Sequence, residues 1–170
     1  VHPSAAAALV DRVLGGLAAQ RGERVLDLYA GVGLFALALA DAVGASGAVH
    51  AVESDARAVA DGMGNAVDRP WVSFRQARVE QAAATLPSAD LVVLDPPRTG
   101  AGRAVIEAVC RLKPRAIAYV ACDPAALARD LAYARDGGYV LADLTAYDLF
   151  PMTQHVECVA LLTKSGSDLL

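Results

Sequence analysis

Three side chains in this sequence have types and settings suited to chemistry: the thiol of Cys122 and the carboxylates of Asp95 and Glu157. Cys122 ends the apolar run Ala118-Tyr-Val-Ala and is followed by Asp123-Pro124. A free cysteine usually packs in a core. A thiol at a strand end can instead face a cleft and act as a nucleophile. An unperturbed thiol is mostly protonated at neutral pH. The helix start at Pro124 is expected to favour the thiolate, and a nearby carboxylate can serve as general base. Asp95 ends the run Leu91-Val-Val-Leu and opens the loop Asp95-Pro-Pro-Arg98. Its two prolines fix the backbone and remove two N–H donors. Arg98 and Arg103 follow as cations for a phosphate. Cys110, in a helical stretch, and Cys158, inside an apolar run, read as core; His155 orders a loop and His2 is incidental.

A second constellation reads as a cofactor site. Asp27-Leu-Tyr-Ala-Gly-Val-Gly33 follows an apolar run and opens a helical pattern, and Glu53 comes twenty residues after Gly33. Gly31 and Gly33 let backbone approach a ligand, and Glu53 can accept both hydroxyls of a ribose. NAD and S-adenosylmethionine both fit these residues, and a tight turn alone would also use the glycines. Asp27 favours S-adenosylmethionine, because its carboxylate suits the charged amino group of a methionine. The absence of a second domain for a hydride acceptor points the same way.

These residues need a scaffold that brings distant strand ends together. Pro3 to Gln20 reads as a helix. Strands follow at Arg24–Leu28, Ala48–Val52, Val72–Phe74, Leu91–Leu94 and Ala116–Val120. Helices alternate with them at Leu34–Val43, Asp55–Ala66, Val79–Ala84 (weak), Arg103–Leu112 and Pro124–Arg135. This alternation predicts a doubly wound α/β sheet, mostly parallel, with helices on both faces. Tyr139–Ala146 and Val156–Thr163 have no helix between them and predict an antiparallel C-terminal hairpin. Roughly seven strands in that pattern is the class I methyltransferase (Rossmann-like) arrangement. The fourth and fifth strands are then neighbours, and the last strand enters beside the fifth. Asp95, Cys122 and Glu157 therefore converge on one rim. Residues 1–164 read as one catalytic domain, a piece of a longer protein, and 165–170 as a tail.

Composition limits the partners. The 170 residues are 55% hydrophobic with a net charge of −4, so this segment alone is not built for a strong electrostatic grip on nucleic acid. Three sparse cysteines without a C-x-x-C pair predict no metal and fit a reducing cytoplasm. No long uncharged apolar run predicts a membrane span.

A thiol, a base and a methyl donor together suggest one reaction. The target is a carbon too electron-poor to take a methyl group unaided, such as C5 of uracil. Thiolate addition at C6 makes C5 enolate-like, C5 is methylated, a base removes its proton, and elimination frees the thiol. Three other readings stand beside it. One is an NAD-dependent dehydrogenase on the same glycine loop. Another is an S-adenosylmethionine-dependent N-methyltransferase with a D/N-P-P loop, which needs no thiol. The third is a non-enzymatic cofactor-binding scaffold.

The blocks DLYAGVGLFALALA, VESDARAVADGMGNA, DLVVLDPPRTGAG, AYVACDPAALARDL and YDLFPMTQHVECVALLTK resemble, in order, the motifs of RNA (uracil-5-)-methyltransferases. The resemblance covers essentially the whole chain. It implies S-adenosyl-L-methionine as cofactor and rRNA or tRNA as partner. It also implies Cys122 as nucleophile and Glu157 as proton acceptor. Tyr29, Gly31, Gly33, Glu53 and Asp95 match cofactor positions, and Arg98 falls at the substrate side. Leu34 and Arg78 depart from the polar or acidic residues that relatives carry there. The family's Phe-x-Gln cofactor motif would fall before Val1. So would the RNA-binding β-barrel, where RNA affinity would mainly reside, and the iron–sulfur cluster that some relatives carry.

Overall fold

The apolar runs form the centre of a seven-stranded sheet in the order β3-β2-β1-β4-β5-β7-β6. The computed structural model describes residues 3–147 and 156–166. Helix α1 (Pro3–Leu17) leads into β1 (Arg24–Leu28), α2 (Leu34–Val43), β2 (Ala48–Glu53), α3 (Ala56–Asn65) and β3 (Val72–Gln76). Then come α4 (Val79–Ala82), β4 (Leu91–Leu94), α5 (Arg103–Leu112), β5 (Ala116–Ala121), α6 (Pro124–Asp136), β6 (Tyr139–Tyr147) and β7 (Glu157–Lys164). The first five strands pair parallel, and β7 runs antiparallel to both β5 and β6. This is the doubly wound, mostly parallel α/β sheet the sequence predicts, including its antiparallel C-terminal pair.

Both faces of the central strands are apolar, as strands covered on two sides must be. Leu26, Val92, Leu94, Ile117 and Tyr119 pack on the side of α5 and α6. Val25, Leu91, Val93, Ala118 and Val120 pack on the side of α1 and α2. The alternation within each strand follows from its period of two.

Element ends differ from the sequence reading for local reasons. Helix α1 stops at Leu17, three residues before Gln20, where Ala18 takes a left-handed φ of 43°. Strand β3 reaches Gln76 because its ladder with β2 continues to Glu53. The weak helix after it is one turn, Val79–Ala82, followed by a 3-10 turn over Ala83–Thr85. At the C-terminal end Ser165 donates from its backbone to the Gly138 carbonyl at 2.9 Å. His2, His155 and residues 167–170 lie outside the described residues.

One aromatic ring braces the glycine loop. Phe74 on β3 lies between Gly33, at the start of α2, and Gly62 on α3. A Cβ on Gly33 would stand 2.9 Å from Phe74 Cζ, and one on Gly62 would stand 2.5 Å from Phe74 Cε1. Alanine is the better helix former by about 1 kcal/mol, yet overpacking a filled site costs about 1–3 kcal/mol. Gly62→Ala is therefore expected to lower the unfolding free energy, and a urea titration with an unchanged slope would show it. A stabilised variant would mean that the ring moves aside freely.

Candidate active site

In an open parallel sheet, ligands bind outside the carboxyl ends of the strands where the strand order reverses. Here that point lies between β1 and β4. The glycine loop leaves β1 through Tyr29, which holds a left-handed φ of 64°. A non-glycine residue in that region is strained and marks candidate functional backbone. Gly31 (φ 53°) and Gly33 (φ 92°) continue the turn, and the Gly33 N–H closes on the Ala30 carbonyl at 2.9 Å. Asn65 Nδ2 donates to the Val32 carbonyl at 3.3 Å and ties the loop to α3.

Glu53 sits at the end of β2 and holds this loop from the side. Its Oε2 accepts the Gly31 N–H at 2.9 Å. Its Oε1 accepts the backbone N–H of Ser54 at 2.6 Å and of Asp55 at 2.8 Å. Burial alone would raise its pKa, but the Asp55, Gly31 and Ser54 amides outweigh that and keep it low. Glu53 is thus ionised at neutral pH.

Asp27 lies under the loop with no solvent exposure. Neither of its carboxyl oxygens has a hydrogen-bond partner among the described residues. The Ala36 amide favours the charged form but does not complete a hydrogen bond. Burial first, and then the charge of Asp95, push its pKa up to about 8. An orphaned buried carboxyl is costly. Such a group marks the strand end beneath the glycine loop as a candidate functional position.

Two clefts meet at Asp95. One, of about 350 Å³, is lined by Tyr29, Glu53, Ser54, Arg78, Glu80 and Asp95 among others. The second, of about 170 Å³, includes Leu34, Phe35, Asp95, Val120, Cys122 and Glu157. Asp95 keeps an exposed edge toward this space, although protein surrounds it on most sides. That crowding, and then Glu157, raise its pKa to about 7, with solvent at the open edge moderating the effect.

Strand pairing brings the thiol and the last carboxylate together. Ala121 on β5 lies opposite Cys158 on β7, so the next residue of β5's chain and the first of β7 share one rim. Cys122 is half-buried, whereas Cys110 and Cys158 are buried in the core as read from sequence. The expected ionisation of Cys122 by the helix start does not prevail. Asp123 already caps α6, its Oδ1 accepting the Ala126 N–H at 2.8 Å. Burial and then Glu157 push the thiol up, and Arg98 pulls it only partly back.

Arg98 projects from the same loop and bears electrostatically on the thiol. Arg103 does not join it. Its guanidinium stacks 4.3 Å from the centre of the Tyr133 ring and pairs with Glu107 at 3.3 Å, which departs from the phosphate-contacting role read for it. Sequence reasoning missed Ser54 and Glu80 as cleft residues. Glu80 accepts the Tyr29 hydroxyl at 3.1 Å and supplies an acid beside Arg78, where the reading found only a base. Its one signal was its place directly after the third strand's loop. Among the described residues no cluster of metal-ligating side chains occurs, and no helix is long and apolar enough to cross a membrane.

Residues 6–165 match the family model described as tRNA (Uracil-5-)-methyltransferase. Uncharacterized RNA methyltransferases of Streptomyces avermitilis and Streptomyces coelicolor are 54% and 53% identical over 99% of this chain. The chain spans 40% and 37% of their lengths. The crystal structure of Pyrococcus abyssi tRNA (uracil-54, C5)-methyltransferase in complex with S-adenosyl-L-homocysteine is 32% identical, with a TM-score of 0.78. That match covers 93% of this chain and 38% of the other. The sheet is thus of the class I methyltransferase type, and the chain belongs to the tRNA (uracil-5-)-methyltransferase family.

Proposed function

We propose that this chain is the catalytic unit of an enzyme that methylates C5 of a uridine in structured RNA. The observation that carries this reading is the single cleft shared by Asp95, Cys122 and Glu157, joined to the cleft of Tyr29 and Glu53. S-adenosylmethionine is the family's cofactor, and the residues present fit it. Glu53 would take the ribose hydroxyls, and Gly31 and Gly33 would let the chain approach closely. Asp27 and Asp95 would hold its charged end, the orphaned state of Asp27 being what a bound ammonium relieves. When bound, the cofactor supplies an electrophilic methyl group for C5.

The chain's own residues do the rest. The uridine must leave its stack, at a cost of a few kcal/mol. Cys122 gives up its proton to water and its sulfur bonds to C6, which moves the electron pair of the C5–C6 double bond toward C5. After C5 is methylated, Glu157 accepts the C5 proton. The electron pair then returns to the ring and expels the Cys122 sulfur. A correctly placed base of this kind contributes roughly 10²–10⁴-fold. Arg98 faces the substrate side as a cation.

In the full-length protein, Cys122→Ala is expected to abolish methylation and covalent capture of 5-fluorouridine RNA. Glu157→Gln is expected to slow turnover by about 10²–10⁴-fold and to let a protein–RNA adduct accumulate on ordinary RNA, seen as a band resistant to denaturing gels. Methylation that survives Cys122→Ala would replace this reading with methylation of a base nitrogen.

The raised acids make a separate prediction. Asp27 goes from an ordinary 3.8 to about 8 on folding, and Asp95 to about 7. A raised folded pKa stabilises the fold below the unfolded value and loses that stability as pH rises through the folded one. For the fully buried Asp27 each unit of separation corresponds to about 1.4 kcal/mol, while solvent at the exposed edge of Asp95 makes its share smaller. The ligand-free protein should therefore weaken between pH 5 and pH 8.5, and Asp27→Asn should flatten that loss. The same variant should bind S-adenosylhomocysteine about 10–100-fold more weakly at pH 8. Denaturation at the two pH values and calorimetric titration check both. Equal slopes for the two proteins would show that Asp27 ionises freely in the fold.

A further inference from the structure

The buried residue Asp130 takes no part in the chemistry above, yet it holds the loop that carries Asp95 and Arg98. It lies on α6 with no solvent exposure. Its Oδ2 accepts the Ala101 N–H at 2.7 Å, the Gly102 N–H at 3.1 Å and the Tyr119 hydroxyl at 2.6 Å. The Tyr119 oxygen in turn accepts the same Ala101 N–H at 3.1 Å. Its Oδ1 accepts Arg129 Nη2 at 2.8 Å, and that nitrogen also donates to the Thr99 carbonyl at 2.7 Å. Four consecutive loop residues, 99 to 102, are thus tied to or pressed against one carboxylate and its arginine.

The fit leaves no slack. Gly100 passes so close that a Cβ there would stand 2.5 Å from Arg129 Nη2 and 2.6 Å from Asp130 Oδ2. Gly100 also holds a left-handed φ of 77°, and its N–H bonds the Pro97 carbonyl at 2.8 Å. Pro96, Pro97 and Arg98 then pack toward Cys122, Asp123 and Ala126. Helix α6 starts two residues after Cys122. The loop of Asp95 and the segment of Cys122 are therefore fastened to each other through Asp130.

We propose that Asp130, with Tyr119 and Arg129, is a positioning device that sets the Asp95–Arg98 loop against the Cys122 thiol. This inference rests on the methyl-transfer reading for its catalytic consequence. A reacting group displaced by about 1 Å can cost about 100-fold in rate. Asp130→Asn keeps the shape but removes the charge that holds Arg129. Gly100→Ala pushes the same loop away with the carboxylate intact. Tyr119→Phe removes one donor and leaves the ring.

The test uses the full-length protein. Amide hydrogen exchange reads Ala101 and Gly102, single-turnover methylation reads chemistry, and thermal unfolding reads the fold. In Asp130→Asn, protection of those two amides should fall while β4 and β5 stay protected. The maximal rate should drop about 100-fold with the KM for RNA little changed, at temperatures where the variant is folded. Gly100→Ala should reproduce the rate loss, and the double variant should be no worse than either single one, since both act on one contact. Tyr119→Phe should show a weaker form of the same pattern and serves if Asp130→Asn does not fold. Unchanged exchange overturns the clamp. Lost protection with a normal rate overturns its catalytic role. A wild-type protein that methylates no uridine overturns the underlying reading, while exchange still decides whether Asp130 holds the loop.

Discussion

The antiparallel entry of β7 between β5 and β6 is the constraint on which the site depends. A parallel strand at that position would begin at the opposite edge of the sheet. Because β7 runs the other way, it begins where β5 ends, with Cys158 opposite Ala121. Glu157 and Cys122, far apart in the chain, are thereby neighbours across a strand pair. The side-chain period of two makes this register stiff. A slip of one residue would turn Val159, Leu161 and their neighbours from one core to the other. The packing of both faces thus fixes the meeting of thiol and acid.

The rim so formed is rich in like charge. Asp27, Asp95 and Glu157 lie near this rim, and the first two have their pKa values raised by burial and by neighbouring charge, Asp27 by Asp95 and Glu53, Asp95 by Glu157. Such an arrangement weakens a fold and would be poor design for stability alone. It makes sense if the space is built to receive positive charge. Perturbed acids of this kind in a cleft are candidate functional groups. Glu53 stands apart from the group. Its backbone amides keep it ionised, so it can accept hydroxyl hydrogens in any state of the neighbouring acids.

Much of this was legible in the sequence. The strands were, because runs such as Leu91-Val-Val-Leu are short, apolar without alternation and bounded by turn residues, as strands buried on both faces are. The convergence of Asp95, Cys122 and Glu157 followed from strand order. The sequence was silent where a side chain's state depends on distant partners. Asp130 sits in Ala-Arg-Asp-Leu, where nothing local announces its burial; that comes from Tyr119 and from amides of another loop. The shift on Cys122 was read in the wrong direction because the helix start was visible in the sequence, whereas the burial and the cap by Asp123 were not. Arg103 looked available for phosphate because nothing local announces the ring of Tyr133 beneath it.

The stiffness of the Asp95–Gly102 loop is a matter of backbone donors more than of proline alone. A loop lining a cleft must satisfy its buried N–H groups without help from a strand ladder. Pro96 and Pro97 remove two such donors where the chain first leaves the sheet. The Asp95 N–H still reaches the Leu28 carbonyl on β1 at 3.2 Å, which extends the sheet's pairing by one residue. The Gly100 N–H turns back to Pro97, and the Ala101 and Gly102 N–H groups find Asp130. The proline ring sets where the loop begins, and the carboxylate sets where it ends. Thr99 is tied through its carbonyl to Arg129, so the eight residues from Asp95 to Gly102 are held at both ends, which leaves little freedom for the carboxylate of Asp95. On the proposed reading, the side chain that would meet the cofactor is thus held in place by a carboxylate on α6.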